Sequence, residues 1–380
     1  MRITQFAWAP FSLAFVDAFR TASQGATSAS EGVREGVIVR VTTETGVVGL
    51  GEASPLAERG EGTAADVVAL CRSVGSGLVG DGGGGLPAML GALATRPGGR
   101  ALACGLETTL VDAAGREQGV SAASLLAQVD GGSVRDWVAD RVVLNATIGQ
   151  EDTEAAVRAA VEAVAAGFGT VKLKVGMEER VEGEVRRVVA VREAIGDGVR
   201  LRIDANGAWD VERAVETATA LVKALGASGL EWIEQPVAAH DIEGLRRVRS
   251  EAGVAVAADE SAISVGHVEQ LVGMGAVDAV VLKPMSLGGL AKTREAALVA
   301  QRAGVEVVVT TSIDSGVGTA AALHVAASLG DGMSACGLAT GGLLESDLLR
   351  EPLRVADGAM AVPEGGGLGV ELGADAPFFR

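Results

Sequence analysis

Val171-Lys172-Leu173-Lys174-Val175-Gly176 opens the series of motifs that decides how this chain is read. It is followed by Ile203-Asp204-Ala205-Asn206-Gly207, Glu234-Gln235-Pro236, Ala258-Asp259-Glu260-Ser261 and Leu282-Lys283-Pro284. Each motif closes a short β-favouring run with ionisable side chains or turn formers. The steps from Lys174 to Asp204, Glu234, Asp259 and Lys283 are 30, 30, 25 and 24 residues, about one strand-plus-helix unit each. Taken singly, Lys-x-Lys reads as a solvated strand face, Asp-Ala-Asn-Gly as a turn and Asp-Glu as surface. Their joint occurrence at one period reads instead as a site.

Working outward, the same alternation covers most of the chain. Strand-like runs fall at Val142–Ile148, Thr170–Val175, Arg200–Asp204, Leu230–Glu234, Val254–Ala258, Ala279–Leu282, Glu306–Thr310 and Ala335–Ala339. Amphipathic helical segments lie between them. In Val211–Leu225 the residues Val211, Val215, Ala218, Leu221, Val222 and Leu225 keep the 3.6 period of a one-sided helix, with Asp210 as its N-cap. Eight such runs predict parallel strands joined by right-handed crossovers and closed into a barrel. Ahead of them, Val37–Val41, a turn at Thr45-Gly46 and Val47–Leu50 predict a hairpin, and Ala101 to Ala127 predict a helix. Thr21 to Gly32 and Gly75 to Gly85 read as a loop and a linker. A further helix is expected near Asp347, then turns and short strands from Gly358 to Leu372 that return to the N-terminal unit. The resulting division is a cap in residues 1–135, a barrel in 136–345 and a returning segment in 346–380.

Bulk properties exclude several functions. The chain has 380 residues, 48% of them apolar, enough for a sizeable core. A formal charge of −17 and 3% aromatics with no tyrosine argue against nucleic acid and anionic membranes as partners. Cys71, Cys104 and Cys336 form no metal-type cluster and no even disulfide set, so a cytoplasmic setting is expected. His240, His267 and His324 lack metal-ligand spacing and are expected to pack or face solvent. Arg2 and the apolar stretch through Val16 resemble a secretory signal, but Gln5, Pro10 and Asp17 interrupt it. Gly49-Leu50-Gly51 is too short for a dinucleotide fingerprint.

In a barrel, successive strand ends converge on one face. Asp204, Glu234 and Asp259 would then offer three hard oxygen ligands, suited to Mg²⁺ or Mn²⁺. A substrate carboxylate could complete the coordination, and the cation would neutralise the dianion formed when the neighbouring carbon loses a proton. Lys174 and Lys283 flank the carboxylates in strand order, one as base and the other as acid or electrostatic support. Lys172 points to the same side of its strand as Lys174 and is expected to tune it.

These motifs resemble the enolase superfamily in its muconate-lactonizing-enzyme subgroup. Gly49-Leu50-Gly51-Glu52-Ala53-Ser54-Pro55 is similar to that superfamily's capping domain, and Leu106-Glu107-Thr108-Thr109-Leu110-Val111-Asp112 to its linker helix. The resemblance implies an α/β fold: a (β/α)7β TIM-type barrel under an α+β cap built from the N-terminal part and the C-terminal tail. It implies Mg²⁺ on Asp204, Glu234 and Asp259, with Asn206 and Glu260 beside these ligands, Lys174 and Lys283 facing each other, and a homo-oligomer.

Thr310-Thr311-Ser312-Ile313-Asp314-Ser315-Gly316-Val317-Gly318 and Cys336-Gly337-Leu338-Ala339-Thr340 resemble the seventh and eighth strands of o-succinylbenzoate synthases. An Asp-x-Asp of dipeptide epimerases and a seventh-strand histidine are both missing there. The implied reaction is dehydration of succinyl-hydroxycyclohexadiene carboxylate in menaquinone synthesis, with Lys174 removing the α-proton and Lys283 supporting the anion by a cation–π contact. Ser312, Ser315 and Gly316 are candidates to hold a substrate carboxylate, against turn capping as the plainer reading. Arg20, in a cap loop, is a candidate for a distal carboxylate. N-succinylamino acid racemisation and muconate-type cycloisomerisation need the same centre and remain alternatives.

Overall fold

The computed structural model describes residues 1–16, 32–80, 86–128, 138–226, 228–330, 333–374 and 376–379. The chain begins with a three-stranded antiparallel sheet, β1 (Ile3–Ala14), β2 (Val33–Thr43) and β3 (Val48–Ala53), in that order. The signal-like N-terminal stretch is thus β1, aligned with β2 from Ala14–Val33 to Ile3–Thr43. Helices α1 (Ala64–Leu78), α2 (Leu86–Leu93), α3 (Gly99–Gln118) and α4 (Ala122–Gln128) complete the cap. Helix α3 lies against β3 so closely that a Cβ on Gly49 or Gly51 would come within 2.1 Å of the carbonyl of Thr109 or Gly105. These glycines therefore serve backbone packing.

Two N-terminal expectations need correction. The helix expected over Ala101 to Ala127 is two helices, because Gly119 adopts a left-handed φ of 67° and closes α3. Gly75 is not linker but lies inside α1, capped at Thr63 by a reciprocal box with Asp66. Most of the loop expected from Thr21 to Gly32, Arg20 with it, lies outside the described residues.

The barrel follows. After β4 (Arg141–Val143), the strands β5 (Ala146–Ile148), β6 (Thr170–Lys174), β7 (Arg200–Asp204), β8 (Trp232–Glu234), β9 (Val256–Ala258), β10 (Ala279–Leu282) and β11 (Glu306–Val309) form one seven-stranded sheet in sequential order. Every neighbouring pair is parallel. The crossovers carry α5 (Thr153–Ala165), α6 (Val181–Ile195), α7 (Val211–Leu225), α8 (Ile242–Ala252), α9 (Val265–Gly273), α10 (Pro284–Leu287) and α11 (Leu290–Arg302), and α12 (Gly316–Ala327) follows β11. In α7, Asp210 accepts from the Arg213 amide at 2.8 Å, and Ala218 and Leu221 are buried against the sheet. Truncating such a fully buried leucine costs about 2–5 kcal/mol.

The eighth run closes the ring with two residues instead of five. Cys336 bridges Leu144 and Gly337 bridges Thr310, both in parallel sense. The first run is likewise split: β5 joins the barrel, while β4 pairs antiparallel with β13 (Ala359–Ala361), itself paired with β12 (Val355–Ala356). Near Asp347 there is no helix among the described residues, only a 3-10 turn at Gly341–Leu343. Asp347 instead accepts from the Gly316 and Leu348 amides, each at 2.7 Å. The tail passes the α3–α4 junction, where Gly367 bridges Ser121. His324, fully buried on α12, accepts from the Ala123 amide and bonds the Leu368 carbonyl, and burial holds its pKa down to about 4.

Candidate active site

The parallel register Lys174–Asp204–Glu234 runs across the carboxyl ends of β6, β7 and β8, so these side chains share one rim. Asp259 and Lys283 follow at the ends of β9 and β10. Counting β5 first and the Cys336-Gly337 segment eighth, Lys174 leaves the second strand and Lys283 the sixth. They stand four strands apart in a ring of eight, on opposite sides. All six groups, Lys172 included, are at most 9% exposed.

Charge pairing orders the rim. Lys172 Nζ donates to Asp204 Oδ2 at 3.1 Å and Glu234 Oε1 at 2.9 Å. Lys174 Nζ donates to the same Asp204 oxygen at 2.6 Å and to Asn206 Oδ1 at 2.9 Å. Lys283 Nζ donates to Asp259 Oδ1. Asn206 bridges the halves by donating Nδ2 to Glu260 Oε1 at 3.1 Å. Burial opposes charge on Lys172, but Glu234 and Asp204 more than offset it and hold its pKa above the ordinary lysine value. Burial and the neighbouring Arg59 push Lys283 downward. Burial also opposes charge on Asp204, where Lys174 and Lys172 prevail and keep it below the usual carboxylate range.

Two backbone positions on this rim are left-handed without being glycine: Asn206 at φ 46° and Gln235 at φ 39°. Strain of this kind persists where surrounding contacts over-determine it. Gln235 Oε1 accepts from the Asp259 and Ser261 amides at 3.0 and 3.1 Å, while its Nε2 donates to Val237 O and Ser261 Oγ. The amide thus locks the Asp259 turn onto β8. Its role was hidden within the Glu-Gln-Pro motif.

Arg59, from the cap, was missed by sequence reasoning. It donates Nη2 to Glu260 Oε1 at 2.8 Å and Asp259 Oδ2 at 3.2 Å. Nothing in Ala57-Glu58-Arg59 signals a contact 200 residues away. Glu52 lies within the cap motif Gly49–Pro55, which carries no local signal of a long-range contact. It is buried, and its carboxylate accepts from Ser315 N, Ser315 Oγ and Gly318 N at 3.0, 2.5 and 2.8 Å.

That contact corrects the expectation for two serine-segment residues. The amide and hydroxyl of Ser315 are held by Glu52 and the Gly316 amide by Asp347, so both belong to the cap of α12. Ser312 differs. It lines the cavity above the rim, and its buried hydroxyl has no partner among the described residues. The cavity, of about 740 Å³, is walled by Lys172, Lys174, Asp259, Glu260 and Lys283 below and by cap residues from Leu56 to Glu61 and Ala94 to Arg100 above.

Whether the rim suits a divalent cation can be judged from its donors. As the side chains stand, no three acidic, histidine or cysteine groups gather in ligating geometry among the described residues, because ammonium groups lie between them. The donor chemistry nonetheless fits a hard cation. Glu234 is pushed up to about 7 by burial and by Asp204. Glu260 is raised by burial and by Asp259, and its buried Oε2 has no partner among the described residues. The rim thus gathers four carboxyl groups as hard oxygen donors, Asp204, Glu234, Asp259 and Glu260.

Comparison with known proteins agrees with this architecture. Residues 155–376 match the family described as enolase C-terminal domain-like. An o-succinylbenzoate synthase of Thermobifida fusca (strain YX) is 39% identical over 228 residues, 59% of this chain and 68% of that protein. A chloromuconate cycloisomerase of Pseudomonas putida is 36% identical over 204 residues, 54% of each chain. The alignments with these two curated relatives therefore span about half to two-thirds of their lengths. Among solved structures, a dipeptide epimerase of Enterococcus faecalis V583 complexed with Mg and the dipeptide L-Leu-L-Tyr superposes with a TM-score of 0.84 at 26% identity, covering 98% of this chain and all of that one.

Proposed function

The chain belongs to the enolase C-terminal domain-like family, in the muconate-lactonizing-enzyme subgroup of the enolase superfamily, and from that premise we propose that it is an o-succinylbenzoate synthase. The observation that carries the chemistry is the placement of Lys174 and Lys283 on opposite sides of one buried carboxylate rim. The choice of reaction is supported by the Ser312 segment, whose hydroxyl has no partner among the described residues, and by likeness to a curated o-succinylbenzoate synthase.

Asp204, Glu234 and Asp259 would hold Mg²⁺, or Mn²⁺ in its place. When bound, the cation supplies positive charge against the negative charge that grows on the substrate carboxylate. Lys174, as the free amine, takes the proton from the carbon beside that carboxylate. The same lysine returns it to the departing hydroxyl as the C–O bond breaks, so that water leaves and the ring becomes aromatic. Lys283, an ammonium on the other face, supports the anion electrostatically. Lys172 and Asn206 hold Asp204 and Lys174 in register. The cap walls exclude water from the rim.

N-succinylamino acid racemisation uses the same two lysines, one to remove the proton and the other to replace it. The deciding experiment supplies the Mg²⁺-loaded protein with succinyl-hydroxycyclohexadiene carboxylate and, separately, with N-succinyl amino acids in D₂O. Fast dehydration with slow deuterium exchange supports the proposal, and the opposite ratio assigns the racemase reaction.

A further inference from the structure

The cap wall of the cavity carries three arginines, Arg59, Arg96 and Arg100. Arg59 is neutralised by Asp259 and Glu260. Neither Arg96 nor Arg100 has an acidic partner among the described residues. Arg100 is half-buried, at the start of α3, and its Nη1 lies 3.5 Å from the carbonyl oxygens of Ile263 and Ser286. Those carbonyls follow closely on the Asp259 and Lys283 strand ends, so the guanidinium is stationed over the far side of the rim from Lys174. Both contacts are long, and its remaining N–H groups have no acceptor among the described residues. Arg96 is exposed at the mouth beside it. The acids on the same wall form no ion pair with either arginine among the described residues: Glu61 accepts instead from the Leu56 amide and the Ser286 hydroxyl, and Glu58 is exposed. A half-buried guanidinium with an open N–H fork matches a carboxylate in both charge and shape.

We infer that Arg100, with Arg96 at the mouth, binds a second carboxylate of the substrate, remote from the one activated on the rim. The inference rests on the proposed function and names what the cap reads: a dicarboxylate. A substrate with an ammonium at that end would meet like charge and be rejected.

The test uses two ligand pairs and calorimetry on the Mg²⁺-loaded full chain: o-succinylbenzoate and N-succinylphenylalanine, each against the methyl ester of its succinyl carboxylate. Wild type should bind the diacid of at least one pair roughly tenfold more tightly than its ester. Arg100→Gln should reduce that ratio to about twofold by weakening the diacid alone, Arg100→Lys should retain an intermediate ratio, and Arg96→Gln should have a smaller effect in the same direction. Unchanged thermal unfolding of the variants excludes a folding defect. No diacid preference in either pair, no binding of either diacid, or equal weakening of acid and ester in Arg100→Gln overturns the subsite, even if dehydration is observed. A diacid preference that Arg100→Gln removes upholds the subsite, even if no dehydration occurs.

Discussion

Glu52 and Ser315 are joined across the boundary between cap and barrel: one carboxylate accepts both the amide and the hydroxyl of the serine that caps α12. The contact links residues 263 positions apart and is fully buried. It fixes the start of α12 immediately after the segment that lines the cavity. Removing the carboxylate leaves the amides of Ser315 and Gly318 without acceptors in a buried setting. Glu52→Ala is expected to cost about 2–4 kcal/mol, and Glu52→Gln less. Urea unfolding of the two variants checks this, and equal stability of Glu52→Ala and wild type would show that the contact is dispensable.

Lys174→Ala should lower turnover by about 10³-fold or more, since general-base contributions are typically 10²–10⁴. Metal binding should persist, because Asp204, Glu234 and Asp259 remain. Deuterium exchange at the substrate α-carbon, measured beside Mg²⁺ titration, separates the two. Exchange at the wild-type rate would remove Lys174 from the base role.

Mg²⁺ should raise the melting temperature of wild type, because a ligand that binds only the folded state stabilises it by mass action. Asp204→Asn and Glu234→Gln should each weaken that shift, and a chelator should reverse it. An unchanged Mg²⁺ shift in both variants would place the ion elsewhere.

Asp314 sits buried between Glu52 and Arg34, and burial together with Glu52 pushes its pKa up to about 8. In the unfolded chain it titrates near 3.9. Between these values the folded state keeps a proton that the unfolded state has lost, so this residue reduces stability as pH rises from about 4 to about 8. Below that window both states are protonated and the penalty vanishes. Asp314→Asn should therefore stabilise the protein at pH 8 relative to pH 5, as read by melting temperature at both. A variant effect independent of pH would refute the assignment.

His324 produces the opposite slope. Its folded pKa of about 4 lies below the unfolded value near 6.5, so acid protonates the unfolded state first. Its contribution, at most about 3 kcal/mol, is present above pH 6.5 and lost as pH falls through 4. Wild type should lose stability over that window, and His324→Gln should lose less.

The sequence itself determined the barrel and the identity of its rim. A period of about 25–30 residues between strand ends is a local property, repeated, and it survives in one dimension. Parallel strands then bring Lys172, Lys174, Asp204, Glu234, Asp259 and Lys283 to one face without further information. Tertiary structure alone decided what those residues meet. Arg59 on Asp259, Glu52 on Ser315, the two-residue closure at Cys336-Gly337 and the reach of Arg100 to the Ile263 and Ser286 carbonyls all join segments far apart in the chain. Periodicity records which face of an element is buried, but not which distant loop covers it. Ser315 illustrates the difference: its pattern suited a ligand site and a helix cap equally, and only the arrival of Glu52 from the cap fixed which one it is.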